Sequence, residues 1–368
     1  MACSRLNAAT VSQWKRNIKT SVYVVVVFIL GHYLWRMLIG YPVSVNTASL
    51  TDTDPHRRVF LLTIPFTEAR ETIGSVIWRY TITHGLSTIL TKGGESTDRL
   101  GTSPKAQNSF LRPYHTAVTE LIYNPTILRQ FLRVNTPYIT VLRHPLVHLQ
   151  SAIQNPNTKD GKSTTISVKD FLENPGRFEK QWAQQISLTN NPYARYFGMP
   201  PDCFHNDSLI KELISTIDRD FSAVLILEKM DESLVMFRRV MRWSYKDISY
   251  NLKQKPEIFP DMMQMEDIVA KHRAWAEADY AIYEHFNNKL NEYVQRGGET
   301  FAVEVSKFRQ ALTTVNDFCG HALRQKGVHE VEFSDWSGNV TFSLTDCKLL
   351  QANEGTLRNI LAKRQVRI

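Results

Sequence analysis

Residues 59–80 read VFLLTIPFTEARETIGSVIWRY: an apolar run, a polar knot and then a helix-like stretch, the order of a strand, a loop and a helix. A strand that turns sharply into a helix can hold a phosphate, because the first amides of the helix have no partner within it and its dipole favours an anion. This loop has neither the Gly nor the Lys of the familiar phosphate loops. Whether it still grips an anion depends on the chain around it.

Two further β-branched runs, PYITVLR at 137–143 and FSAVLILE at 221–228, follow, with helical patterns between them. That alternation predicts an α/β domain with a central parallel sheet flanked by helices, whose ligands sit beyond the carboxyl ends of the strands. Ile268, Trp275, Ile282, Phe286 and Leu290 recur at helical spacing and read as a core-facing stripe. After Gly297 the pattern weakens. Residues 329–344, HEVEFSDWSGNVTFSL, read as a hairpin turning at Ser-Gly-Asn, and a last helix is expected from Glu354.

At 368 residues and 43% hydrophobic, the chain can bury a large core. Its net charge is +8, but Arg5, Lys15, Arg16, Lys19 and Arg36 account for five of those charges with no acid in the first 50 residues. The mildly basic remainder fits a shallow cleft for one polyanionic small molecule better than a duplex-binding face, so no nucleic-acid partner is expected. Residues 21–40, SVYVVVVFILGHYLWRMLIG, are long and apolar enough to cross a bilayer as a helix. The cationic flank precedes them, which places the N-terminus in the cytoplasm. The expected organisation is a cytoplasmic tail (1–20), a transmembrane signal-anchor (21–40), a polar stem (41–57) and a lumenal domain (58–368). A cleaved signal peptide is the alternative, although no small-x-small site follows the Val-rich core. The sequons at Asn206 and Asn339 would then be lumenal. So would Cys203, Cys319 and Cys347, an odd number in which Cys319–Cys347 is the favoured pair. No CxxC or His-Cys cluster is present, and no metal site is expected.

The stretch DGKSTT at 160–165 ends like a nucleotide-binding P-loop, but Pro156 stands where its first Gly belongs and a helical stretch precedes it. A solvated loop is the better reading. In ITVLRHPLVHLQSAI, residues 139–153, a strand ends at Arg143, His-Pro turns the chain, and a helix carries Ser151. A guanidinium fork at a strand's carboxyl end with a helical hydroxyl beside it suits a phosphate. A surface ion pair at Arg143 is the competing reading.

These residues resemble a known family. YITVLRHPLVHLQSAI (138–153) is similar to the segment of Golgi glycan sulfotransferases that binds the 3′-phosphate of PAPS (3′-phosphoadenosine 5′-phosphosulfate), and most similar to that of the galactose-3-O-sulfotransferases. FSAVLILEKMDESLVMFRRVMRWSYKDISY (221–250) resembles that family's strand, acidic helix and Trp-containing segment. WAEADYAIYEHFNNKLNEYV (275–294) and CKLLQANEGTLRNILAKRQ (347–365) resemble its Trp-Asp-Tyr-Phe-Asn helix and its closing helix. The resemblance spans residues 58–366. It implies a P-loop nucleotide-kinase-like sulfotransferase fold, a Golgi type II membrane protein, and transfer of sulfate from PAPS to the 3-hydroxyl of a terminal galactose on a glycolipid, galactosylceramide-like, or on a glycoprotein glycan.

By the same resemblance Arg143 and Ser151 match the 3′-phosphate pair. Glu228, Asp231 and Glu232 match an acidic motif that either ties helix to sheet or meets the acceptor. At the first strand the family has Lys-Thr-His-Lys-Thr, a small residue and Ser-Ser-Thr, which hold the 5′-phosphosulfate and offer a His as base. Here Leu62, Thr63, Ile64 and Pro65 face the first four of those positions and Arg70, Glu71 and Thr72 the last three, so Thr63 and Thr72 survive. Arg70 is the candidate substitute cation. The family's second His aligns with Glu120, and Glu71, His115 and Glu120 are the candidate proton acceptors. Arg70 and Glu71 as solvated loop charges, and His115 as a surface residue, are the bland alternatives. A homologue that binds nucleotide or glycan without turnover is the alternative function.

Overall fold

The first four strands are short, and they lie side by side in one direction. The structure, a computed structural model, describes residues 56–90, 113–154, 166–182, 187–255, 259–322, 329–332 and 339–365. Within these, β1 (Val59–Leu62), β2 (Thr116–Thr119), β3 (Tyr138–Leu142) and β4 (Phe221–Ile226) form a parallel sheet in the order β2-β1-β3-β4. All of β1 and β2 is buried, as expected of strands covered on both faces. β2, TAVT, went unread in the sequence because it lacks the run of large apolar residues that marks its three neighbours. From β1 the chain goes out to β2 on one side and returns to β3 on the other. The crevice between the carboxyl ends of β1 and β3 is therefore the topological switch point, where parallel α/β sheets bind ligands.

The helix α1 (Ala69–Thr83) leaves β1 and packs against β2. Gly74 permits that closeness, since a Cβ there would lie 3.3 Å from Cγ1 of Val118. β3 runs into α2 (Pro145–Gln154), with Pro at the first helical position, where its missing N–H costs nothing. α3 (Asp207–Asp220) precedes β4, and α4 (Met230–Met241) follows it. The longest helix, α5 (Glu277–Ala322), is broken at Gly298, whose φ of 55° is left-handed. The chain does not stop at Gly297 as the sequence suggests. Apolar spacing resumes at Phe301, Val305, Phe308, Leu312, Val315 and Cys319, all buried, so tertiary packing carries the helix past the glycines.

The expected hairpin is present as β5 (His329–Glu332) paired antiparallel with β6 (Asn339–Phe342), its turn lying outside the described residues. α6 (Leu344–Leu350) begins with a capping box between Ser343 and Asp346. The closing helix α7 (Glu354–Gln365) packs on α1, where Arg364 donates to the carbonyls of Thr81, Ile82 and Leu86 at the end of that helix. A cation on orphan carbonyls offsets the negative end of the dipole.

Residues 55–368 form one compact unit. The span expected at 21–40 lies outside the described residues, as does the DGKSTT loop. Among the described residues no helix is long and apolar enough to cross a membrane. The chain is already docked at His56, whose carbonyl accepts from the Trp243 indole (2.8 Å) and from the Tyr80 hydroxyl (3.2 Å).

Cys319 on α5 and Cys347 on α6 form a disulfide across a sequence separation of 28, with both side chains buried. Closing a loop of that length stabilises the fold by about 3.6 kcal/mol in the chain-entropy account. Cys347→Ser is expected to lower the unfolding free energy by about 2–4 kcal/mol in urea titration, and dithiothreitol is expected to lower that of the native chain by at least as much.

Candidate anion-binding site

The loop after β1 holds its turn without glycine. Thr67 closes it, its amide (3.3 Å) and hydroxyl (2.6 Å) both donating to the Ile64 carbonyl. Phe66 (φ 60°) and Glu68 (φ 57°) take left-handed conformations, each costing about 1–2 kcal/mol for an L-residue with a side chain. From α2, His148 Nε2 donates to the Pro65 carbonyl at 2.7 Å and pins the loop from below. α1 then starts at Ala69, so its first-turn amides face the crevice.

Arg143 follows the last residue of β3 and is only 1% exposed. Its Nη1 donates to Ser151 Oγ at 3.1 Å and to Glu68 Oε1 at 2.7 Å. Its backbone is held as firmly: the Tyr193 hydroxyl donates to the Arg143 carbonyl at 2.6 Å. Tyr193 lies on the short helix Pro192–Tyr196, whose Tyr193 and Ala194 amides donate to the Asp279 carboxylate of α5 (3.1 and 2.9 Å). The amide of His144 donates to Glu228 Oε1 (2.8 Å), and the Tyr283 hydroxyl to Glu228 Oε2 (3.2 Å).

Burial decides the charge states nearby. It pushes His148 down to about 4, with Arg143 adding to the effect against the Pro65 bond. It pushes His144 down to about 4, helped by Arg273, and His272 down to about 3, helped by His148 and His144. All three imidazoles are neutral at pH 7 and add no cation to the crevice. Burial also raises Asp279 to about 7 against its two amide bonds, and raises Glu228.

Of the residues singled out in the sequence, the fold brings Arg143 and Ser151 together. Glu120 stands just beyond the carboxyl end of β2, on the crevice side of the sheet, and is partly buried. Glu71 lies exposed in the first turn of α1. Arg70 is in the same turn, its side chain outside the described residues. His115 is the correction: it precedes β2, at the amino end of the sheet, where its Nδ1 meets Ser87 Oγ at 2.8 Å and its carbonyl accepts from Val59. The strand separates it from the crevice. Thr63 and Thr72 are present but turned inward, their hydroxyl protons committed to the carbonyls of Thr119 (3.1 Å) and Glu68 (3.0 Å). In the acidic motif Glu228 ties β4 to β3, while Asp231 accepts from Tyr250 and Arg309 (both 2.8 Å) and Glu232 from Arg309 (2.7 Å). All three carboxylates thus tie one element to another, and none makes a capping hydrogen bond to α4.

The sequence reading missed Glu68, Tyr193 and Asp279. Asn191-Pro192 could have marked a helix start, but nothing local says that Glu68 folds onto Arg143. Among the described residues no group of three or more His, Cys, Asp or Glu is arranged to hold a metal ion.

The sequence profile of the galactose-3-O-sulfotransferases matches residues 20–342. The chain belongs to this family. It is 26% identical to human galactose-3-O-sulfotransferase 2 over 275 residues, 70% of this chain and 67% of that protein. Bovine galactosylceramide sulfotransferase is 22% identical over 306 residues, 80% and 72% of the two chains. Human galactose-3-O-sulfotransferase 3 is 26% identical over 211 residues, 55% of this chain and 49% of that protein. Membership supports sulfate transfer as the class of reaction and implies, for the family in general, PAPS as co-substrate.

The neutral histidines set a pH dependence. Their folded pKa values lie below the unfolded value of about 6.5, so the unfolded chain binds more protons and stability is lost as pH falls from there toward 4. His115, lowered by burial and Arg133, acts in the same sense. Asp279 and Glu228 act oppositely, contributing stability at low pH that is lost as pH rises through their raised pKa values. The histidines outnumber them. Unfolding free energy is expected to fall by about 2 kcal/mol between pH 7 and pH 5, read from urea titrations, with a shallower slope in His272→Gln.

Proposed function

We propose that this chain is a PAPS-dependent galactose 3-O-sulfotransferase, acting on a galactose-terminated glycolipid or glycoprotein glycan and held in the Golgi membrane as a single-pass type II protein. The observation that carries the reading is the Arg143–Ser151 pair at the β1/β3 switch point. A guanidinium and a hydroxyl 3.1 Å apart present a charged fork and a donor to one phosphate, the group that distinguishes PAPS from common adenine nucleotides.

In this reading Arg143 and Ser151 hold the 3′-phosphate, and the first amides of α1, with Arg70, face the 5′-phosphosulfate. PAPS supplies an activated sulfuryl group: the galactose oxygen bonds to sulfur as the sulfur–oxygen bond to the 5′-phosphate breaks, leaving 3′,5′-ADP. In the same reading Glu120 takes the hydroxyl proton, with Glu71 as the more exposed alternative. Charge that develops on the leaving phosphate in the transition state needs preorganised donors, yet Thr63 and Thr72 direct their protons elsewhere and the loop has no Lys. That favours slow turnover, and in its extreme form the second reading, a homologue that binds nucleotide without transfer.

Arg143→Ala is expected to weaken binding of the full chain to 3′,5′-ADP by about 1.5–3 kcal/mol in calorimetry, and Ser151→Ala, which leaves the guanidinium in place, by less. Exposed Arg133→Ala is expected to have no effect. Transfer of labelled sulfate from PAPS to a panel of β-galactosides is expected to be slow and to fall further in Arg70→Ala; brisk transfer indifferent to Arg70 overturns the placement of the sulfate end. Protease protection of the body in sealed microsomes, lost on adding detergent, is the outcome expected of the membrane topology.

A further inference from the structure

The phosphate seat is occupied in the resting chain by one of its own acids. Glu68 Oε1 lies 2.7 Å from the same Arg143 nitrogen that meets Ser151. We propose that Glu68 is a resident counter-anion, which the 3′-phosphate of the donor must displace. The proposal deepens the donor reading above and rests on it.

Exposure shows which partner can leave. The Arg143 side chain is 1% exposed and the Glu68 side chain 36%. The guanidinium is walled in and needs an anion at all times, whereas the carboxylate stands on the solvent side and can return to water at little cost. Exchange therefore proceeds by Glu68 swinging out as a phosphate arrives. Local structure gives no other reason for an acid here. Glu68 is the N-cap of α1, yet its side chain makes no capping hydrogen bond, and its backbone is left-handed, a conformation that suits Gly or Asn.

A nucleotide without a 3′-phosphate cannot displace the carboxylate and gains nothing from its removal. Glu68 is then a specificity-determining residue: it raises the requirement for a 3′-phosphate by holding the seat against weaker anions.

Calorimetry of the full chain with 3′,5′-ADP and with 5′-AMP tests this. In Glu68→Gln, which keeps the shape and removes the charge, affinity for 3′,5′-ADP is expected to rise about tenfold or more, while affinity for 5′-AMP stays unchanged. Glu68→Gly, which also relieves the left-handed backbone, is expected to show the same gain, and both variants are expected to melt lower without nucleotide and to recover more than the native chain when 3′,5′-ADP is added. Equal affinity of native chain and Glu68→Gln for 3′,5′-ADP overturns the proposal and leaves the donor reading standing. A gain shared by 5′-AMP, or seen in Glu68→Gly alone, overturns it in favour of a loosened loop. No binding of 3′,5′-ADP by either chain overturns both the proposal and the donor reading.

Discussion

A guanidinium buried to 1% exposure at the end of a central strand is the constraint around which this fold is arranged. Breaking a buried ion pair by removing one partner costs about 3–5 kcal/mol, so the surrounding elements are held to positions that satisfy it. Glu68 and Ser151 serve the side chain. Tyr193 serves the backbone, and is itself placed by the Asp279 carboxylate of α5. One residue further on, Glu228 joins the start of the next turn to the end of β4. Four distant segments thus converge on Arg143, and the crevice at the β1/β3 switch point inherits their rigidity.

The same pairing explains how a loop without glycine keeps its turn. Two left-handed residues cost about 1–2 kcal/mol each, a strain that persists only where the surroundings over-determine it. Here the His148–Pro65 bond fixes the middle of the loop and the Glu68–Arg143 pair fixes its end. Shape has been kept by long-range contacts where a glycine would keep it locally.

The sheet, its three apolar strands, the switch from strand to helix at His144-Pro145 and the closing hairpin and helix were legible because each is written in local periodicity or turn chemistry. So was the Arg143–Ser151 pair, since one helix of known pitch separates the two. β2 was not legible, because TAVT derives its place from pairing with β1 and carries little apolar pattern of its own. The continuation of α5 through Gly297 and Gly298 was hidden for a related reason: the glycines speak against a helix locally, and the packing of Phe301 and Val305 overrides them. His115 and Glu120 show the limit most sharply. Five residues apart in the sequence, they stand at opposite ends of one strand, and only the register of β2 decides which lies at the carboxyl end of the sheet.

On the proposed reading, binding and turnover draw on different parts of this site. A 3′-phosphate would meet a charge that is present before the ligand arrives, and that charge depends on Arg143 and its tethers. Stabilising the leaving phosphate depends on donors aimed at charge that appears only in the transition state. Burial has neutralised His144 and His148, and internal bonds have turned Thr63 and Thr72 away. What the loop still offers is the N-terminus of α1 and whatever Arg70 adds. The His148–Pro65 bond both holds the loop and commits a proton donor, whereas Thr63 and Thr72 are turned away by bonds of their own, so on the proposed reading the rigidity of this site limits its catalytic power at His148 and leaves the two threonines as a separate loss.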